Sequence, residues 1–195
     1  MREETMTTLS MPARFVCFDT EYTTWEGARE RHWSGEGEHR EIVQIGAVLV
    51  DGNNLAELDR FLCFVRPTKN PLLSKYFMEL TGIDQHSVDT QGLSYPDALE
   101  KFLQWTQGLR LYCWGMDLEI MGANAKLLGI PFPFSYEQKR DVRSLFEKEG
   151  IATSTYLSST IPRAFGEEPP PSAHDALNDS RSILQGLRGL RRHTS

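Results

Sequence analysis

The order of the extended segments constrains this chain most. Residues 41–52, "EIVQIGAVLVDG", form a β-branched run closed by an Asp-Gly turn signal. Residues 58–67, "LDRFLCFVRP", follow as the returning strand, stopped by Pro67. Ahead of this hairpin, the short apolar run Arg14 to Phe18 reads as a buried strand. The Gly-rich polar stretch 23–40, "TTWEGARERHWSGEGEHR", reads as a loop between them. Beyond the hairpin the period changes. "PLLSKYFMELTGI" starts on proline, spaces its apolar residues for a helix and ends at Gly82. "SYPDALEKFLQWTQG" repeats the pattern with Leu99, Phe102, Leu103 and Trp105 facing inward. "LRLYCWG" is a further buried strand, and "DLEIMGANAKLLG" a helix capped at Asp117 and ended by Gly129. "RDVRSLFEKEG" begins another helix after a short strand, and "IPRAFGEEPPP" is a loop. The last helix runs from about Ser172 to Leu190, with Ala176, Leu177, Ile183, Leu184 and Leu187 on its apolar side. A hairpin followed by alternating strands and helices implies a mixed sheet covered on both faces, an α/β domain of three layers.

At 195 residues the chain has room for one substantial core. That core is expected over 13–190, between a flexible N-terminal tail at 1–12 and a short C-terminal tail at 191–195. No apolar run is long enough to cross a bilayer. The start, "MREETMTTLSMPAR", lacks the apolar middle of a secretory signal, so a cytoplasmic protein is expected. Cys17, Cys63 and Cys113 each sit in an apolar run, with a count and spacing that suit neither a disulfide framework nor a zinc knuckle; they read as buried thiols. A formal charge of −6 argues against gripping long duplex DNA through its phosphates. It leaves room for an enzyme that holds a short nucleic-acid end through metal ions. The one basic cluster, "RGLRRHTS", suits a helix C-terminus as well as a phosphate.

The chemistry begins where the first strand ends. In "RFVCFDTEYTTWEG", Asp19 and Glu21 stand two positions apart and therefore project from one face of the strand. Adjacent acids raise each other's pKa unless a cation neutralises them, and hard divalent ions prefer such oxygen ligands. Asp117 follows a second apolar strand in "YCWGMDLEIMG". "SAHDALNDSRSIL" offers His174, Asp175 and Asp179 at the start of the last helix. Five residues on a straight helix turn through about 500°, which would leave His174 and Asp179 about 140° apart. His174 is therefore expected in the lead-in or first turn and Asp179 on the face toward the sheet. Asp175 is expected to serve the helix N-terminus.

"FDTE", "WGMD" and "HDALND", in this order, resemble the three motifs of the DnaQ-like 3′–5′ exonucleases, in the subclass with a histidine five residues before the last aspartate (DEDDh). The likeness runs from Arg14 to Leu190. "EIVQIGAV", "FVRPTKNPLLSKYFMELTGI" and "YPDALEKFLQW" are similar to its Eri-type and KapD-like branch. The resemblance implies an RNase H-like fold with a central mixed five-stranded sheet flanked by helices. It implies Asp19, Glu21, Asp117 and Asp179 as the acidic cluster holding two Mg²⁺ (or Mn²⁺) ions, and His174 as general base. Related sequences carry two residues between the Trp-Gly pair and the aspartate, whereas only Met116 intervenes here; Glu119 is the fallback if Asp117 falls short.

By the same resemblance, Thr20, Trp25, Leu80 and His174 contact the substrate, with Trp25 and Leu80 packing on either side of the terminal base. Trp33 lies in a polar loop and is the weaker candidate. Two metals about 4 Å apart clamp the attacking and leaving oxygens of an in-line displacement. Activity is expected to rise with pH through a histidine pKa at or above about 6.5. The implied activity is metal-dependent removal of nucleoside 5′-monophosphates from the 3′ end of single-stranded or overhanging nucleic acid. RNA is favoured over DNA as the partner. The competing readings are a DNA-trimming or repair exonuclease with the same site, a KapD-like regulatory module acting through a protein partner, and an endonuclease of the wider RNase H-like group.

Overall fold

The computed structural model describes residues 9–171 and 174–194. Most of the expected N-terminal tail (1–8), together with Ser172, where the last helix was expected to begin, lies outside the described residues. Five strands form one mixed sheet: β1 (Arg14–Tyr22), β2 (Ile42–Asp51), β3 (Glu57–Phe64), β4 (Leu111–Cys113) and β5 (Lys139–Asp141), in the order β3-β2-β1-β4-β5. β1 to β3 pair antiparallel, whereas β4 runs parallel to β1, and β5 parallel to β4. Among the described residues six α-helices accompany them: α1 (Lys75–Thr81), α2 (Gln85–Gln91), α3 (Tyr95–Thr106), α4 (Asp117–Leu127), α5 (Arg143–Lys148) and α6 (Ala176–His193). This is the RNase H-like α/β architecture expected. No helix among the described residues is long and apolar enough to cross a membrane.

Strand periodicity divides the core. Even-numbered β1 residues Val16 and Phe18 face α3 and α4, packing with Leu99, Phe102, Leu118 and Met121. Odd-numbered Phe15 and Cys17 face α6, packing with Leu177, Ile183, Leu184 and Leu187. A third cluster joins Val43 of β2 to Phe77 of α1 and Val88 of α2. Cys17 and Cys113 are buried and Cys63 half-buried; all three are free, and burial raises their thiol pKa values.

Several elements depart from their sequence signals. β1 continues four residues past Phe18 to Tyr22, because β2 lies alongside it through Ile42. α2 is a separate short helix within a stretch that had no helical reading, started by Asp84, whose carboxylate accepts from Ser87 N. The 3₁₀ turn Ile161–Phe165 stands where a loop was expected, with Ile161 buried against α6. α6 runs past Leu190 to His193, so the expected C-terminal tail begins inside the helix. There Arg191 donates to the carbonyls of Gly52 and Asn53.

Candidate active site

The C-terminal ends of the parallel strands β1 and β4 point the same way, and the acidic residues gather there. Asp19 and Glu21 lie on the α6 face of β1, both buried. Asp179 comes from the first turn of α6, 2% exposed. α6 can approach this closely because Gly46, the β2 partner of Asp19, has no side chain. A Cβ there would sit 2.1 Å from Leu177 N and 2.2 Å from the Ala176 carbonyl carbon.

Asp117 arrives from the other side of the sheet. It is the first residue of α4 and does not cap it; Met116 holds the cap position without a side-chain bond. The carboxylate is engaged elsewhere. Thr20, whose side chain faces α4, donates to Asp117 Oδ1 from its backbone N (3.1 Å) and from Oγ1 (2.8 Å). The shortened Trp-Gly-x-Asp spacing is absorbed by Gly115 at φ 101°, a conformation that side-chain-bearing residues avoid. The fallback Glu119 is occupied instead, paired with Lys139 Nζ at 2.5 and 2.6 Å.

His174 stands in the lead-in to α6 at φ 64°, a left-handed conformation uncommon for residues other than glycine. A ring nitrogen of His174 and carboxylate oxygens of Glu21 and Asp179 all lie within 4.8 Å of one another. Asp175 caps α6, accepting from Asn178 N at 3.0 Å, and also accepts from Gln44 Nε2 at 3.2 Å. Gln44 Oε1 in turn accepts from Ala176 N at 2.8 Å, so one buried β2 amide pins the start of the helix.

The electrostatics follow from this crowding. Burial first, then repulsion from Asp117, Asp179 and Glu21, raises Asp19 well above the carboxylate range. Glu21 is raised by burial, then by Asp179 and Asp117. Burial lifts Asp117 to about 6 against the Thr20 hydrogen bonds, and Asp179 to about 7. Burial also lowers His174 below its ordinary value, the reverse of the rise expected from neighbouring acids, so the ring is neutral at pH 7. Asp179 Oδ1 is buried with no hydrogen-bond partner. Four buried acids that repel one another, one with an orphaned oxygen, suit a divalent cation.

The substrate-contact residues are more dispersed. Thr20 spends its amide and hydroxyl on Asp117, because an odd–even strand alternation turns it away from Asp19 and Glu21. Trp25 is half-buried in the loop after β1, and Leu80 half-buried on α1. Their segments are tied together, since Ser74 Oγ, at the cap of α1, donates to Thr24 O. Trp33 packs edge-on against Tyr22, with Arg40 5.2 Å above its ring. One polar group had no sequence signal. Ser158, in an aperiodic stretch between short turns, donates to Asp179 Oδ2 at 3.2 Å.

Residues 16–187 match the RNase T family model, described as an exonuclease. The chain is 29% identical over 179 residues to the probable 3′-5′ exonuclease KapD of Bacillus subtilis (strain 168), covering 90% of this chain and 81% of that one. It is 32% identical over 90 residues to ERI1 exoribonuclease 2 of Homo sapiens, 46% of this chain but 12% of that protein. Over 157 residues it is 26% identical to 3′-5′ exoribonuclease 1 of Rattus norvegicus, 74% of this chain and 45% of that protein. The chain thus spans less than half of these two exoribonucleases. Its fold superposes with a TM-score of 0.77 on the nuclease domain of 3′hExo, a DEDDh family member solved with rAMP, at 24% identity over 92% of this chain and 90% of that one. Cell-death related nuclease 4 superposes at 0.73, with 24% identity over 92% of this chain and 63% of that one. Acidic cluster, sheet order and family match agree, and the chain belongs to the RNase T exonuclease family.

Proposed function

We propose that this protein is a 3′–5′ exonuclease that removes nucleoside 5′-monophosphates one at a time from single-stranded or overhanging nucleic acid, with RNA preferred. The observation that carries the reading is the meeting of Asp19, Glu21, Asp117, Asp179 and His174 at one end of the sheet, with Asp179 Oδ1 buried and unpartnered. The family works with divalent metal ions; two Mg²⁺ or Mn²⁺ ions, held by the four carboxylates, are the count and identity we propose. Such ions supply positive charge that activates water and stabilises the leaving oxygen of the phosphodiester.

The chain's own groups do the rest. Asp19, Glu21 and Asp179 provide the oxygen ligands on the α6 side of the sheet. Thr20 locks Asp117 Oδ1 on the α4 side of the sheet, so Oδ2 is the oxygen we assign to the ion. His174, neutral at pH 7 and beside Glu21 and Asp179, takes the proton of the attacking water at a ring nitrogen. The half-buried Trp25 and Leu80 offer apolar surface for the terminal base, and stacking of that kind accepts any base. The preference for RNA is supported by the exoribonuclease names of the two partly covered relatives.

Matched RNA and DNA oligonucleotides labelled at the 5′ end test the reading in Mg²⁺, Mn²⁺ and EDTA. A ladder shortening one nucleotide at a time, faster on RNA and abolished by EDTA, is expected. Asp19→Ala and His174→Ala should each slow it by about a thousandfold or more. Equal rates in those variants, or internal cuts, would remove the mechanism.

A further inference from the structure

A further polar side chain reaches the acidic cluster from an element that no motif marks. Ser158 sits in the turn between Leu157 and Thr160. Thr160 N donates to Leu157 O at 3.0 Å, and Leu157 N donates to Thr160 Oγ1 at 2.9 Å. The turn runs directly into the 3₁₀ segment Ile161–Phe165, and Ile161 N also donates to Leu157 O at 3.1 Å. Ile161 is fully buried against α6, where a Cβ on Gly186 would come within 2.9 Å of its side chain. The position of Ser158 is therefore set by packing on the helix that carries Asp179.

From that position the hydroxyl donates to Asp179 Oδ2 at 3.2 Å. Its donation to Oδ2 settles which oxygen of Asp179 stays free. Oδ1 is buried and has no hydrogen-bond partner. A carboxylate held at one oxygen by a neutral donor is pre-oriented to offer the other to a cation.

We propose that Ser158 is a positioning residue for divalent-cation binding, its hydroxyl holding Asp179 Oδ2 so that Asp179 Oδ1 is presented to the ion. This rests on the exonuclease reading above. A hydroxyl that only stabilised the turn would have no bearing on cation affinity. Hydrogen bonds to metal-ligating side chains typically govern affinity or turnover by about 10- to 100-fold, which sets the expected effect.

The test is Mn²⁺ titration by calorimetry on the full chain, with wild type, Ser158→Ala, Ser158→Thr and Asp179→Asn, beside melting in EDTA and in saturating Mn²⁺. Ser158→Ala is expected to weaken Mn²⁺ binding by about 10-fold or more. It should also shrink the upward shift in melting temperature that Mn²⁺ produces. Ser158→Thr, which keeps the hydroxyl, should recover most of both. If Ser158→Ala binds Mn²⁺ as wild type does, or loses the same melting temperature with and without the ion, the positioning role is overturned while the exonuclease reading stands. Wild-type protein that neither binds Mn²⁺ nor shortens a labelled oligonucleotide would overturn both.

Discussion

Asp179 shows how one side chain can be both a structural cost and a functional asset. A buried carboxylate with an orphaned oxygen is tolerated only if it is protonated or bound to a cation. Its pKa of about 7, with about 6 for Asp117 and upward shifts for Asp19 and Glu21, means that the folded, metal-free protein holds more protons than the unfolded chain. The stability this contributes is complete below the unfolded values near 4 and is lost as pH rises through about 6 and 7. In EDTA the melting temperature should therefore fall between about pH 5 and pH 8, a trend that Asp179→Asn should flatten and Mn²⁺ should reverse. A metal-free melting temperature that climbs across that interval would contradict the cluster. Glycine matters at Gly46, beside this cluster. Gly46→Ala would drive a Cβ into the α6 backbone, and we expect a loss of about 2–4 kcal/mol in denaturant unfolding together with most of the activity. The acidic positions were legible because their order and spacing carry the chemistry. The role of Thr20 was not, since the pattern marks it as a neighbour of the acids, whereas strand alternation turns it toward Asp117. Ser158 gave no signal because its turn has no period.

Among the elements, those with strong periodicity were readable in position and face, and those held by partners were readable only as a short strand or not at all. α3 and α6 carry apolar stripes: α6 buries all five residues that the pattern selects, while in α3 Leu99 and Phe102 are buried and Leu103 and Trp105 lie half-buried at the edge of the core. β5 is the triplet Lys139-Arg140-Asp141, which has no apolar alternation and owes its strand conformation to pairing with Leu111–Cys113 of β4. α2 buries only Val88 and depends on its Asp84 cap. The segment entering α1 is held by Glu41, 1% exposed, whose carboxylate accepts from the backbone N–H groups of Thr68, Lys69 and Asn70 at 2.6–2.9 Å. Its own backbone pairs with Thr23, two residues after Glu21, so this one side chain braces the α1 segment against the site. Glu41→Ala leaves those amides without their acceptor, and equilibrium unfolding should show a loss of about 2–4 kcal/mol. Because Leu80 rides on α1, KM for oligonucleotides should rise more than kcat falls. An unfolding midpoint and KM both unchanged would show that the brace is dispensable.

For the whole molecule, a net charge of −6 and a carboxylate cluster at the sheet's end make the protein repel the phosphates it is proposed to cut. Affinity for a 3′ end should accordingly depend on the divalent ion. Fluorescence anisotropy of a labelled oligoribonucleotide with the Asp117→Asn variant should show binding in Mn²⁺ at least about 10-fold tighter than in EDTA. Equal affinity in both would place the substrate elsewhere on the surface. The topology explains how a chain of ordinary composition builds such a site. One strand, β1, carries acids toward α6 and a threonine toward α4, and the parallel β4 delivers Asp117 to the same end. Convergence is thus a consequence of strand order, which the pattern of segments suggested and the register completes. The most direct test is anomalous diffraction from crystals soaked in Mn²⁺. Density is expected against Asp19, Glu21 and Asp179, with Asp179 Oδ1 among the ligands; saturating Mn²⁺ that leaves those side chains bare would rule out the cation site.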